Sequence, residues 1–319
     1  MTVYKNRLYP NYWDMFAFIL VFSIILIFAW AAKQMTVPYQ IGSVISISLD
    51  AHYLPFYALR TVLRMLIALF CSLLFTLTIA TWAAKSKRAE RFIIPLIDIL
   101  QSVPILGFLS ITVVGFIKVF PGSLLGPECA AIFAIFTSQA WNMALGFYQT
   151  VRTVPADLQE VARMLHLSAW QRFWRIEVAF SMPVLLWNMM MSMSAGWFFV
   201  VASEAISVSN QQILLPGIGS YIAVAIKEAN LTAILYAIIT MFVVILMYDQ
   251  ILFRPLVAWA EKFKAENIAS EREVSSWLMD FMQRTRWVRF FGALIYKQWN
   301  AFVNISWPSF TQKISERAV

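Results

Sequence analysis

An all-helical membrane protein with about six spans is what this 319-residue sequence predicts, from its apolar composition, the length of its apolar runs and the charge clusters between them. Hydrophobic residues make up 61% of the chain and charged residues 13%, against about 25% charged in a soluble domain. A chain this apolar cannot cover itself with polar surface, so lipid is its solvent. Six runs approach the ~20 apolar residues that a spanning helix needs: about 15–32, 57–83, 92–117, 128–149, 178–203 and 231–253.

The first run, Met15 to Ala32, follows Lys5 and Arg7. It exceeds the roughly 7–15 residues of a signal-peptide core, so it is expected to be a retained helix; cleavage near Ala29-Trp30-Ala31 is the minor alternative. The third run carries Pro95, Asp98 and Pro104 and is expected to kink or break, which is tolerated at membrane depth where neighbours satisfy the freed carbonyls.

Net charge is +8. The basic residues sit in short clusters between apolar runs and not on one polar face, which argues against nucleic acid and for loops beside anionic lipid. With the N-terminus in the cytoplasm, the inner segments hold Lys5, Arg7, Lys85, Lys87, Arg88, Arg91, Arg152, Arg163, Arg172 and Arg175. The outer ends hold Lys33, Arg60, Arg64, Lys118 and Lys227. That bias places both termini inside. Arg60 and Arg64 run against it; they are expected to snorkel at the outer end of the second span or to sit in a short interfacial helix before it.

Cys71 and Cys129 lie in or beside apolar runs and read as small apolar side chains. His52 and His166 are far apart, without metal-ligand spacing. No cofactor is expected. There is no G-x-x-x-x-G-K-[ST] phosphate loop, and Gly217 with Gly219 forms a lone G-x-G that suits an outer turn.

The segment from Val151 to Glu177 carries its own helix signals. Pro155 suits a first helical turn, Asp157 and Glu160 favour the positive helix end, and Leu158, Val161, Ala162 and Leu165 form one apolar stripe. A second start follows at Ser168, with Gln171 three residues on in the form of a capping box. Trp170, Phe173 and Trp174 give it an aromatic face beside Arg172 and Arg175. The expectation is a cytoplasmic hairpin of two short amphipathic helices meeting near His166–Leu167, which either docks on a partner or rests on the bilayer.

The stretch DLQEVARMLHLSAWQRFWRIEVAFSMP resembles the EAA loop of binding-protein-dependent ATP-binding-cassette (ABC) importer permeases of type I. Glu160, Ala162 and Ile176 match that pattern in register, and Ala169-Trp170-Gln171 with Pro183 matches its nitrate, sulfonate and taurine branch. His166 stands where the pattern has the glycine that ends the first helix in a left-handed turn, and Ala179 stands at its first proline. Histidine visits that conformation more readily than most residues, so the turn is expected to persist with some strain. The runs IIPLIDILQSVPILGFL, LPGIGSYI and DQILFRPLVAWAEKF, together with Glu204, resemble other parts of the same branch; the last is similar to one half of fused anion permeases.

The resemblance covers about residues 56–264 and implies a permease core there, preceded by an N-terminal helix and outer loop (1–55). Residues 265–319, with Trp277, Trp287, Trp299 and Trp307, are expected to be an interfacial cytoplasmic tail or the lead-in to a second permease unit. The resemblance further implies that residues 151–177 are the coupling element, with Leu158, Glu160, Val161, Ala162, Leu165, His166, Ser168 and Ile176 facing a separate ATPase. It implies cytoplasmic ABC ATPase subunits, an extracytoplasmic solute-binding protein and a second permease unit as partners, in a bacterial inner membrane. The implied cargo is a small anion of the nitrate, sulfonate, taurine or bicarbonate type.

Polar residues in the spans mark candidate positions on the substrate pathway, because polar groups in lipid must face protein or water: Gln101, Ser102, Gln139, Asn142, Asn188, Ser192 and Glu204. Helix–helix hydrogen bonding is the plainer account of each. Ser192 and Gly196 have the small-xxx-small spacing that lets helices approach. A secondary transporter driven by an ion gradient would call for midplane ionisable groups and an inverted repeat; a membrane-embedded enzyme would call for clustered His, Asp, Glu or Cys. Neither pattern stands out.

Overall fold

A computed structural model describes residues 12–39, 45–208, 211–260 and 286–305. Lys5, Arg7, Trp277 and Trp307 lie outside the described residues. The described chain is almost wholly helical: α1 (Tyr12–Gln34), α2 (Leu54–Phe75), α3 (Thr81–Lys85), α4 (Lys87–Ser102), α5 (Ile105–Val119) and α6 (Leu125–Arg152). There follow α7 (Ala156–Met164), α8 (Ala169–Arg172), α9 (Val178–Glu204), α10 (Ile218–Lys227), α11 (Leu231–Tyr248), α12 (Arg254–Ala260) and α13 (Arg286–Val303). An antiparallel pair, β1 (Ala205–Val208) and β2 (Gln211–Leu214), pairs Ala205 with Leu214 and Ile206 with Ile213.

Among the described residues, four continuous helical stretches are long and apolar enough to cross a membrane: Ala51–Lys85, Leu125–Arg152, Ala169–Glu204 and Leu231–Ala260. Three of these contain a single π turn, at Thr76–Ala80, Phe173–Glu177 and Asp249–Phe253. Near the first, the Thr78 and Thr81 hydroxyls donate to the carbonyls of Leu74 (2.7 Å) and Leu77 (2.6 Å), a back-bonding pattern that bends helices. The first expected span lies within α1. The third is broken, as its prolines suggest: Val103 is extended (φ −76°, ψ 126°) ahead of Pro104, since a proline disfavours helical geometry in the residue before it. Ser86 separates α3 from α4, its extended backbone and hydroxyl capping the Ala89 N–H.

The described residues fall into two compact units. Of the described residues, one unit holds 12–25, 153–183, 254–260 and 286–305; the other holds 26–39, 45–152, 184–208 and 211–253. The second unit holds the larger core. Leu109 and Val113 of α5 pack with Ala130, Ala131 and Ala134 of α6 and with Ile206, Ile213 and Leu215 around the β pair. A neighbouring cluster joins Leu54, Tyr57 and Ala58 of α2 to Ile218, Tyr221 and Ala225 of α10 and Ala233 and Ala237 of α11. The alanines matter here: they let helix axes approach in surroundings where apolar lipid supplies no drive for association. The segment before α2 is pinned by Tyr39 N–H to Gly122 O (3.0 Å) and Leu124 N–H to Val37 O (3.0 Å), with Gly122 in the left-handed region (φ 73°).

The α10–α11 turn is compact. Ala229 is left-handed (φ 51°), its N–H donates to Ile226 O (3.1 Å), and the Asn230 N–H reaches Ala225 O (2.9 Å). This is a Schellman ending. Asn230 then caps α11 by accepting from the Ala233 N–H (3.1 Å). Left-handed geometry costs a residue with a β-carbon about 1–2 kcal/mol. Ala229→Gly is therefore expected to stabilise the chain by about 1 kcal/mol, offset in part by the freer unfolded chain. A melting temperature in detergent that fails to rise would contradict the strain assigned here.

Candidate functional site

Three constellations carry polar chemistry. The first is a buried ion cluster in the larger unit. Arg60 and Arg64 lie four residues apart on one face of α2, both buried. Glu128, in the first turn of α6, accepts from Arg64 Nε (2.5 Å) and Nη2 (2.7 Å) and from Arg60 Nη2. Glu204, at the last turn of α9, accepts from Arg64 Nη1 (2.6 Å), from the Thr61 hydroxyl (2.6 Å) and from the Gly219 N–H (2.6 Å). Arg64 Nη2 also donates to Pro216 O (3.1 Å), and the Thr61 hydroxyl accepts the Ile218 N–H (3.0 Å). Two positive and two negative side chains thus cancel, and Glu204 sits at the positive end of α10.

The glycines of the G-x-G are dictated by this cluster. A β-carbon at Gly217 would lie 2.3 Å from the Glu204 carboxylate, and one at Gly219 would lie 2.3 Å from the Val201 carbonyl oxygen. Gly217 is extended (φ 179°), so close approach and not unusual backbone geometry requires it.

Arg60 and Arg64 therefore depart from the sequence expectation. They neither snorkel nor lie in an interfacial helix, because each finds a carboxylate inside the protein. Glu204, a candidate pathway residue by sequence, is fully buried and committed to Arg64, Thr61 and Gly219. Sequence reasoning missed Glu128 and the arginines as partners. The available signal was their balance: ionisable groups in apolar helices are costly until paired.

The second constellation is a polar ladder between α9 and α6. Asn188 faces Gly146 so closely that a β-carbon there would lie 2.0 Å from Asn188 Nδ2. Four residues on, Ser192 Oγ accepts from Asn142 Nδ2 (3.1 Å). Four further, Gly196 faces the Gln139 amide, 2.8 Å from its would-be β-carbon. Gln139 Nε2 also donates to Met193 Sδ (3.1 Å), and its buried Oε1 has no partner among the described residues. The helices run antiparallel, so 188, 192 and 196 meet 146, 142 and 139 in turn. Four sequence-predicted residues, Gln139, Asn142, Asn188 and Ser192, thus come together. Gln101 and Ser102 stand apart at the exposed end of α4, bonded to Asp98 Oδ1 (3.1 Å) and Asp98 O (2.9 Å).

The third is the hairpin of the smaller unit. Its capping box is formed: Gln171 N–H to Ser168 Oγ (3.2 Å) and Ser168 N–H to Gln171 Oε1 (3.0 Å). His166 is left-handed (φ 49°). Its N–H donates to Arg163 O and the Leu167 N–H to Ala162 O, both at 3.0 Å, which is again a Schellman ending. The expected stripe does not survive intact as a free face. Ala162 is buried within the chain, 2% exposed, and Leu158 is half-buried. The exposed apolar residues of α7 and its end are instead Val161 (45%), Met164 (79%) and Leu165 (64%), with Glu160 also exposed. Buried within the chain, Ala162 is unavailable to a partner. The second helix is also longer than expected: α8 runs through the π turn, which holds half-buried Ile176, directly into α9. No glycine interrupts it, and Pro183 is accommodated inside α9.

A helical membrane chain with a charge-neutral buried cluster, an interhelical polar ladder and a helical hairpin has the make-up of a transport-system membrane component. Residues 75–254 match the family described as "Binding-protein-dependent transport system inner membrane component", and the chain belongs to that family. It is similar to the bicarbonate transport system permease protein CmpB of Synechococcus elongatus, 24% identical over 183 residues, 57% of this chain and 59% of that protein. It is also similar to the nitrate import permease protein NrtB of Synechocystis sp., 27% identical over 49% of this chain and 52% of that one. The glycine betaine/proline betaine transport system permease protein ProW of Escherichia coli is 29% identical over 51% of this chain and 44% of its own. The matches thus span at most about three-fifths of these relatives.

Removing one member of a buried ion cluster leaves an uncompensated charge and costs about 3–5 kcal/mol. Arg64→Met is expected to cost that much, read as a lowered melting temperature in detergent. Adding Glu204→Gln should recover part of the loss. Equal stability of Arg64→Met and the native chain would mean that the cluster is not formed.

Proposed function

We propose that this chain is a permease subunit of an ATP-driven importer, that it lines the route of a small anion, and that its hairpin couples the route to a separate ATPase. The observation that carries the reading is the hairpin itself. Its turn is held by backbone and capping bonds, and Val161, Met164 and Leu165 stay exposed among the described residues. Three apolar side chains at a rigid tip suit a hydrophobic groove on a protein partner. The register of Glu160, Ala162 and Ile176 with the EAA pattern and the family membership support the same role.

The charge balance supports an inner-membrane orientation with both termini cytoplasmic. With Arg60 and Arg64 neutralised inside the protein, the outer basic residues reduce to Lys33, Lys118 and Lys227 against the ten of the inner segments. Gln139, Asn142, Asn188 and Ser192 are the proposed pathway-lining groups; the Gln139 carbonyl at one end of the ladder, without a partner among the described residues, favours them. Gln101 and Ser102 remain candidates at the break between α4 and α5. The bicarbonate and nitrate relatives support a small anion as cargo. An extracytoplasmic binding protein and a second permease unit complete the proposed assembly.

The test replaces Met164 and Leu165 by glutamate in the full chain and measures ATP hydrolysis co-purifying with it from membranes. Burying an unpaired charge costs several kcal/mol, so co-purified hydrolysis is expected to fall roughly 100-fold or more, with membrane insertion unchanged. Native levels of co-purified hydrolysis would refute the docking role.

A further inference from the structure

The C-terminal helix α13 lies beyond the residues that match the family, which end at 254, yet it packs on the hairpin. Trp299 meets Trp174 edge-on (centroids 4.9 Å apart), and Phe302 meets Trp170 (5.1 Å) and Trp174 (5.9 Å). Two hydrogen bonds fix the register: Trp170 Nε1 donates to Phe302 O (3.0 Å), and Arg175 Nη2 donates to Asn304 Oδ1 (2.7 Å). Edge-to-face aromatic pairs add attraction beyond the area they cover, and here they come with directional bonds at both ends of the contact.

The placement is selective. α13 takes the aromatic face of the second hairpin helix, while Val161, Met164 and Leu165 at the tip of the first remain exposed. The hairpin is thus divided into a face gripped by the chain's own C-terminal segment and a tip left free. Its second helix continues through the π turn into α9, so whatever steadies Trp170 and Trp174 also steadies the junction through which a push on the tip would reach the membrane. A short hairpin carries few internal contacts of its own, and an external brace supplies the stiffness it lacks.

We infer that α13 is a brace that positions the hairpin for its ATPase partner, with Trp299, Phe302 and Asn304 as positioning residues. This rests on the coupling role proposed for the hairpin. The probe is ATP hydrolysis co-purifying with the full-length chain from membranes, normalised to chain level. W299A/F302A is expected to lower it roughly fivefold or more at unchanged chain level, and W299F/F302L is expected to restore it to within about twofold. Asn304→Leu, at an exposed position outside the aromatic contact, is expected to lower it roughly threefold and carries the test if the double variant depletes the chain. Native hydrolysis in both W299A/F302A and Asn304→Leu overturns the brace. The glutamate pair at Met164 and Leu165 separates the two readings. If it abolishes co-purified hydrolysis while the α13 variants leave it at the native level, the brace alone fails. If it too leaves hydrolysis intact, the coupling role fails and takes the brace with it.

Discussion

Arg64 has no water to turn to. Its guanidinium is fully buried, and its donors are met by Glu128 of α6, Glu204 of α9 and the Pro216 carbonyl ahead of α10. A planar fork of donors accepts few arrangements of carboxylates, so satisfying it specifies how four segments meet. The pairing need not add net stability over a well-packed apolar replacement. Its effect is to make alternative registers expensive, because any slip of α2 against α6 or α9 strands a charge. The glycines at 217 and 219 exist to let the α10 terminus reach Glu204, and Thr61 ties the same terminus to α2.

Away from that cluster the helices are held by smaller devices. α9 meets α6 at three levels, Asn188 on Gly146, Ser192 on Asn142 and Gly196 on Gln139, four residues apart along α9 and four then three apart along α6. Contacts of this kind are modest individually, and they leave polar groups on the seam. A seam that combines close approach with polar lining suits both helix association and the passage of a hydrated or hydrogen-bonding solute. The two accounts of these residues that the sequence leaves open are therefore compatible.

The hairpin follows a different logic. Its turn spends left-handed strain at His166 to bring the first helix to a sharp stop, and the backbone bonds to Ala162 and Arg163 compensate. Ala162 is buried while Met164 and Leu165 stay exposed. Trp170 and Trp174 of the second helix pack against α13, while Val161, Met164 and Leu165 of the first stay exposed.

Much of this was legible in the residues. Apolar run lengths located the four stretches long enough to cross a membrane, and local backbone rules located the break at Pro104 and the start of the second hairpin helix at Ser168 with Gln171. Continuity between α8 and α9 was harder to read, since a π turn has no sharp sequence signature. The fate of Arg60, Arg64 and Glu204 was not legible: a charged residue in an apolar run demands a partner, but the partner lies 64 to 143 residues away. Likewise nothing local tells Ala162 from Leu165 on one amphipathic stripe, or pairs Trp174 with Trp299. The sequence by itself determined the long apolar helical segments, the hairpin and that buried charges must be matched. Only the tertiary structure decided which charges match and which apolar side chains stay exposed, because those outcomes depend on long-range packing that no local periodicity encodes.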